Sequence, residues 1–213
     1  MRWLFSALIS LGLAAACTAQ ERGWEVGGAI GFGVMHDASI TNGSGSAGAG
    51  FDNRFVAGAV LGQDLYRHFS GELRYVYRED DLVLKTGGQK ATTSGDSHLV
   101  HYDILFHPTT KESRVRPFLA AGAGIRYFRG TGEGDASQPL SNFAYLTNTN
   151  EVKPLISVGG GVKARLTEHT SFRFDFREYI SPFPEALFAT APGAKIQGWL
   201  FDSVPTAGVS FIF

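Results

Sequence analysis

The side chains in this sequence most able to do chemistry are charged residues placed at every second position. Between Ser171 and Tyr179, the residues Arg173, Asp175 and Arg177 alternate with three phenylalanines. Because side chains point alternately to the two faces of a β-strand, the charges share one face and the aromatic rings share the other. Guanidinium and carboxylate groups on one face can form ion pairs. The segment therefore predicts a strand with one charged and one apolar face.

The same alternation places further charges on one face of other segments. An unpaired buried charge costs several kcal/mol, so these groups must pair or contact water. We expect a luminal charge network made of Glu72, Arg74, Arg78, Asp103, Arg126, Lys163, Arg173, Asp175 and Arg177. The other charges expected to point inward are Glu25, Arg116, Arg165 and Asp202. This set holds more positive than negative residues, so a plug of salt bridges and a narrow anion-preferring path both remain open.

Other motifs with possible chemistry are weaker. The run Gly159-x-Gly161-x-x-Ala164 formally matches a dinucleotide fingerprint, but it leads into a turn and another strand instead of a helix. The acidic run 79–81 lacks the spaced ligands of a calcium loop, which favours a solvated loop start. We expect no cofactor.

The sequence evidence for a histidine metal site and for a catalytic triad is equally weak. On one predicted strand His98 faces away from His101 and His107, and the latter two lie too far apart to share a metal ion. Ser171 with His169 and Asp175 is the best accidental triad, and it lies beside a short turn. We predict no metal site and no catalytic site.

Composition limits the class of protein. The chain has 213 residues, with 27 Gly, 17 Phe, one Cys and only 18% charged residues. The single Cys excludes a disulfide framework and a Cys-based zinc site. A net charge of −1 argues against a nucleic-acid partner, which requires a basic face.

The amino terminus reads as an export signal. Arg2 precedes an apolar run that is too short to span a bilayer as a helix, and small residues follow it. We predict a signal peptide over residues 1–19 and one domain over residues 20–213. Lipoprotein processing at Cys17 is the alternative.

Eight predicted strands follow the signal peptide. Their ranges are Trp24–Met35, Arg54–Gly62, Gly71–Arg78, His98–His107, Val115–Arg129, Leu155–Leu166, Ser171–Tyr179 and Trp199–Phe213. Connections of about 18 to 25 residues alternate with connections of about 4 to 8 residues, and an even strand count with this alternation is typical of outer-membrane barrels. The apolar faces of these strands would then contact lipid. The fold class predicted is all-β, an eight-stranded antiparallel up-and-down transmembrane β-barrel.

Three runs carry a family resemblance. They are Arg116–Tyr127, the glycine-rich run 159–163 that leads through a turn into Phe172–Arg177, and the alternating Val209, Phe211 and Phe213. Here the chain resembles the small outer-membrane β-barrel family, whose eight-stranded barrels are similar to the OmpA transmembrane domain. The resemblance implies an outer-membrane location and a membrane-insertion signal in Val209, Phe211 and Phe213, which the outer-membrane insertion machinery would read. We expect no periplasmic peptidoglycan-binding domain, so the resemblance does not imply tethering to the cell wall.

The function expected is a structural or surface-interaction role of a monomer without catalysis. Its expected partners are outer-membrane lipids, the insertion machinery and an unknown extracellular ligand. The long loops supply the candidate surface: Thr41–Gly50 reads as flexible, and Ser181–Gly198 carries apolar side chains that either bind a partner or fold over the rim. A narrow passive pore for small solutes or ions and a soluble lipocalin-like barrel are the alternatives.

Overall fold

The structure, a computed structural model, describes residues 23–43, 45–132 and 138–213. The predicted signal peptide and Cys17 lie outside this part of the chain. Within it, no helix is long and apolar enough to cross a membrane.

Eight long strands close into one antiparallel barrel, which confirms the predicted fold class. In chain order the barrel strands are β1 (Trp24–Met35), β4 (Arg54–Tyr66), β5 (Phe69–Glu79), β8 (Gly95–Phe106), β9 (Val115–Gly130), β11 (Asn150–Arg165), β12 (Thr170–Pro182) and β15 (Trp199–Ile212). Each pairs with its neighbour in the chain, and β1 closes the ring by pairing with β15. Short turns lie at one end of the barrel and long connections lie at the other.

The two faces of each barrel strand differ as the alternation predicts. On β12 the three phenylalanines are 42 to 50% exposed, whereas Arg173, Asp175 and Arg177 are fully buried. The other outward faces carry side chains such as Ile30, Leu73 and Ile125. The barrel is therefore apolar outside and charged inside, the reverse of a soluble protein with a hydrophobic core.

The long connections fold into a structure that we name the cap, made of the described residues of 36–53, 80–94, 131–149 and 183–198. A five-stranded sheet in the order β14-β2-β3-β6-β7 forms most of it. Its strands are β2 (Ala38–Asn42), β3 (Gly45–Phe51), β6 (Leu82–Thr86), β7 (Gln89–Thr93) and β14 (Lys195–Gln197). A second sheet pairs β10 (Ala144–Leu146) with β13 (Phe188–Thr190).

The cap has a hydrophobic core of its own. Ile40, Leu82, Leu84 and Phe188 are completely buried in it. Phe51 lies 5.6 Å from the ring centroids of both Phe128 and Phe188, so the tip of β9 packs directly into this core. The cap is thus a folded unit that is continuous with the barrel wall.

Two expectations about the long connections are wrong. The run Thr41–Gly50 forms parts of β2 and β3, because Ala47 and Ala49 on alternate positions pack into the cap core. Several barrel strands also continue beyond their predicted ends, since β11 begins at Asn150 and β12 ends at Pro182. The apolar side chains of the last connection, Phe183 among them, fold over the rim and are buried.

Candidate functional site

The buried charges lie inside the barrel in two groups at different heights. The lower cluster, nearer the short turns, consists of Glu25, Glu72, Arg74, Asp103, Lys163, Arg173, Asp175 and Arg177. The upper cluster, beneath the cap, consists of Arg78, Asp80, Arg126 and Asp202. Together they contain every residue of the predicted luminal charge network.

Strand pairing places like charges side by side in the lower cluster. Glu72 on β5 lies opposite Asp103 on β8, and Lys163 on β11 lies opposite Arg173 on β12. Neighbouring like charges repel each other, so each of these positions needs an opposite charge nearby. The opposite charges come from the next inward residue of the same strand and from the far wall of the barrel.

The lower cluster meets this need with ion pairs across the lumen. Arg74 on β5 donates to Asp175 on β12 at 2.9 Å and to Glu72 at 2.7 Å. Arg173 on β12 donates to Glu72 at 2.8 Å and to Asp175 at 2.8 Å. In the ring of strands, β5 and β12 occupy opposite positions. The ion pairs among these four residues therefore join two opposite walls of the barrel.

Further pairs extend the lower cluster around the wall. The Nε of Arg177 lies 3.2 Å from the Oδ2 of Asp103, and the Nδ1 of His101 lies 3.0 Å from the Oδ1 of the same residue. Lys163 on β11 donates to Glu25 on β1 at 2.5 Å. Gly159 and Gly161 on β11 lie opposite Arg177 and Asp175 and leave room for these side chains, because a Cβ at either glycine would meet the β12 backbone. The dinucleotide-like run therefore serves packing.

The upper cluster repeats this arrangement. Arg126 on β9 donates to Asp202 on β15 at 3.0 Å and to Asp80 at 2.8 Å. Arg78 on β5 hydrogen-bonds the same two carboxylates, and Ser97 donates to Asp80. Burial alone would raise the pKa of Asp80, but the guanidinium groups of Arg78 and Arg126 outweigh it and hold that pKa below its usual value.

An apolar layer separates the two clusters. It consists of the buried side chains of Val56, Val76, Leu99, Leu155, Tyr179 and Val204. A barrel of eight strands has an interior just wide enough to be filled by side chains. The lower cluster, the apolar layer and the upper cluster follow one another along the barrel axis. Together they fill the lumen with protein atoms.

The charges of both clusters balance. The lower cluster holds four cations and four anions, and the upper cluster holds two of each. The expected positive excess is wrong for these clusters, because Asp80 belongs to the upper cluster and is completely buried instead of starting a solvated loop. The sequence does carry a signal for this position. Asp80 lies two residues after Arg78, so the alternation that points Arg78 inward also points Asp80 inward. Of the remaining inward cations, Arg116 pairs with Asp64 at 3.2 Å and Arg165 lies at the rim.

A buried histidine beside the lower rim, His107, should make the stability of the folded protein depend on pH. Burial, together with the positive charges of Arg116 and Lys163, lowers the pKa of His107 from 6.5 to about 4. In the unfolded chain the imidazole of His107 becomes protonated below its ordinary pKa of 6.5. In the folded chain it stays neutral until the pH falls to about 4. We therefore expect the free energy of unfolding to fall by up to about 3 kcal/mol as the pH drops through this interval.

The measurement is denaturant unfolding of the detergent-solubilised protein at neutral and acidic pH, with His107→Gln as the matched control. The glutamine amide can reach the position of the His107 Nε2, which lies 2.9 Å from the Ser70 hydroxyl, but it cannot titrate. The control should lose less stability on acidification than the wild type. Equal losses in the two proteins would contradict the prediction.

The remaining predicted site residues lie elsewhere. Val209, Phe211 and Phe213 point outward at the end of the last strand and are exposed to about half their area or more. His98 faces outward against Tyr75, while His101 and His107 face inward. The described residues bring together no group of three side chains able to hold a metal ion.

The outward apolar face and the charged lumen together indicate a barrel that lies in a lipid bilayer. A family profile described as outer membrane protein beta-barrel domain matches residues 4–192. The chain belongs to this family. It is an outer-membrane protein of the Gram-negative type and contacts the membrane lipids, so the lipocalin-like alternative is wrong. The short turns of such barrels face the periplasm and the long connections face outward, which places the cap at the cell surface.

Comparisons with other proteins agree on the fold. No curated protein sequence matches this chain. Among solved structures, Neisserial surface protein A (NspA) has a TM-score of 0.55 at 14% identity, over 90% of this chain and 97% of NspA. OprG from Pseudomonas aeruginosa has a TM-score of 0.58 at 14% identity, over 90% of this chain and 95% of OprG. At this level of identity the similarity concerns the fold alone.

Proposed function

We propose that this outer-membrane barrel is a non-conducting anchor that holds a folded cap at the cell surface, where the cap takes part in surface interactions. The observation that carries the first part is the pairing of charges across the lumen. Arg74 with Asp175 and Arg126 with Asp202 join strands that are not neighbours, so their side chains cross the space that a pore would need. The balanced charge gives neither anions nor cations a preferred path.

The second part rests on the construction of the cap. Apolar side chains such as Ile40, Leu84 and Phe188 are buried in its own core, and polar side chains such as Thr41, Lys85 and Lys90 remain on the surface. An ordered surface loses less conformational entropy on binding than flexible loops do. The cap therefore suits a recognition surface better than a set of mobile loops would.

We also propose that the protein has no catalytic role. The three residues considered for a triad do not form one. Asp175 is committed to two arginines, and the Nδ1 of His169 lies 3.1 Å from the backbone oxygen of Ile212 instead of the Ser171 hydroxyl.

The route to the membrane forms part of the proposal. Residues 1–19 act as a signal peptide, and Val209, Phe211 and Phe213 are read by the outer-membrane insertion machinery. The mature barrel, residues 20–213, acts as a monomer.

Cells that display the full chain test this proposal against cells that display a capless barrel. In the capless variant, the cap strands are replaced by short turns, and heat-modifiable migration on SDS gels checks that the barrel still folds. We expect adhesion to cultured epithelial cells and to immobilised glycans to depend on the cap. Uptake of small solutes should be the same in cells with the full chain and in cells without it. Adhesion that survives removal of the cap, or solute uptake that rises with the full chain, would contradict the proposal.

A further inference from the structure

The periplasmic mouth of the barrel contains an open polar cavity that the luminal clusters do not fill. Its volume is about 50 Å³. The charged residues in its lining are Glu25, Asp64, Arg114, Arg116, Lys163 and Arg165. A single water occupies about 10–15 Å³ on this scale, so the cavity accommodates a small polyatomic ion.

Three side chains in the lining carry buried atoms without a hydrogen-bond partner, namely the guanidinium group of Arg116, the hydroxyl of Ser171 and, as an acceptor, the Oε1 of Glu25. The Nη1 of Arg116 donates to Asp64 at 3.2 Å, but its Nε and Nη2 have no acceptor, although Arg116 is only 8% exposed. The hydroxyl of Ser171 is also buried and unpartnered. Leaving such donors unsatisfied costs free energy, more for a charged group than for a neutral one. An oxygen-rich ligand would remove this cost.

The charge of the lining selects the sign of that ligand. Four cations and two anions line the cavity, so its net charge is +2. Lys163 pairs with Glu25 and Arg116 pairs with Asp64, which leaves Arg114 and Arg165 as the excess. Burial lowers the pKa of the neighbouring His107, and the positive charges of Arg116 and Lys163 lower it further.

We propose that the periplasmic mouth is a binding site for a phosphate dianion. Its four oxygens would accept from the free Nε and Nη2 of Arg116 and from the Ser171 hydroxyl, and its charge would match that of the lining. Arginine suits this role because its fork of donors binds phosphate oxygens in pairs. The site lies at the end of the barrel opposite the cap and is independent of the proposed surface role.

The phosphate group could belong to free periplasmic phosphate or to a lipid headgroup. Arg116, Lys163 and Ser171 point into the lumen, away from the lipid-facing side of the wall. This orientation favours a free anion. A phospholipid would have to bend its headgroup around the rim past Arg114 or Arg165.

Titration calorimetry of the full chain in maltoside detergent tests the site with inorganic phosphate near pH 8, where the dianion predominates. We expect saturable binding of one phosphate per chain. Arg116→Lys keeps the ion pair with Asp64 but lacks the second pair of donors, so it should weaken binding at least about tenfold. Ser171→Ala should weaken binding about threefold and leaves the ion pairs intact. Arg67→Gln, an exposed turn residue outside the cavity, is the matched control and should bind like the wild type.

A competition arm with short-chain phosphatidic acid distinguishes the two sources. If the lipid does not displace phosphate, the ligand is a free anion. If the lipid displaces phosphate, the ligand is a headgroup. Both results support a phosphate site. The absence of saturable binding would overturn the proposal. So would equal affinities of the wild type and of Ser171→Ala and Arg116→Lys variants that show the heat-modifiable migration of a folded barrel.

Discussion

Replacing Asp175 by Asn is expected to lower the free energy of unfolding by about 3 to 5 kcal/mol. Asp175 accepts hydrogen bonds from Arg74, Arg173 and Thr206, at 2.9, 2.8 and 2.9 Å. Asparagine has nearly the same shape, so the substitution opens no cavity. It removes one negative charge from a balanced cluster and leaves two buried guanidinium groups to share Glu72.

The measurement is denaturant unfolding in detergent micelles or lipid vesicles, followed by heat-modifiable migration. Asp37→Asn is the matched control, because Asp37 pairs with Lys85 in the cap with both side chains partly exposed. Exposed pairs contribute less than about 1 kcal/mol, so this control should stay close to the wild type. Equal unfolding midpoints for the Asp175 variant and the wild type would show that the lower cluster does not stabilise the barrel.

Replacing Phe188 by Ala is expected to open the cap while the barrel stays closed. Phe188 is completely buried, and its ring centroid lies 4.9 Å from that of Phe183. Truncating a buried phenylalanine costs about 3 to 5 kcal/mol. Phe188 packs against cap residues and not against the charged clusters, so we expect the loss to appear as local opening rather than global unfolding.

Limited proteolysis of intact cells measures this opening. We expect cleavage within the cap to become at least about tenfold faster, while heat-modifiable migration still reports a folded barrel. Tyr145→Ala is the matched control on the paired strand β10, because Tyr145 is 47% exposed. Cap cleavage at the wild-type rate in the Phe188 variant would contradict the assignment of Phe188 to a structural core.

The barrel itself was predictable from the sequence because its rule is local. Alternation along Ser171–Tyr179 separates the charged face from the aromatic face within one strand, and the structure shows the same separation. The even strand count and the alternating lengths of the connections then determine the up-and-down topology. None of these inferences requires knowledge of a distant contact.

The cap was not predictable in the same way. Its core joins residues from four connections, such as Ile40, Leu84 and Phe188, and each connection alone carries too few apolar residues for a clear signal. Small residues added to the difficulty. Ala47 and Ala49 lie among glycines and serines that read as flexible, yet they pack tightly because they are small.

The charge balance of the lumen depended on one residue. In the sequence Asp80 belongs to the acidic run 79–81, which lacks the spaced ligands of a calcium loop and therefore favours a solvated loop start. The inward alternation of β5 continues from Arg78 to Asp80, and the pairing of Asp80 with Arg78 and Arg126 shows that it is an inward group. The partners of the buried charges follow from barrel closure, which brings β5 and β12 to opposite walls, and pattern alone does not supply that distance.

Planar lipid bilayer recording of the purified full chain tests the sealed lumen most directly. A conducting porin in the same bilayer serves as the positive control, and heat-modifiable migration verifies that the inserted protein is folded. We expect no steady conductance of the wild-type protein in any salt tested. A reproducible single-channel conductance of the wild-type barrel would contradict a sealed lumen.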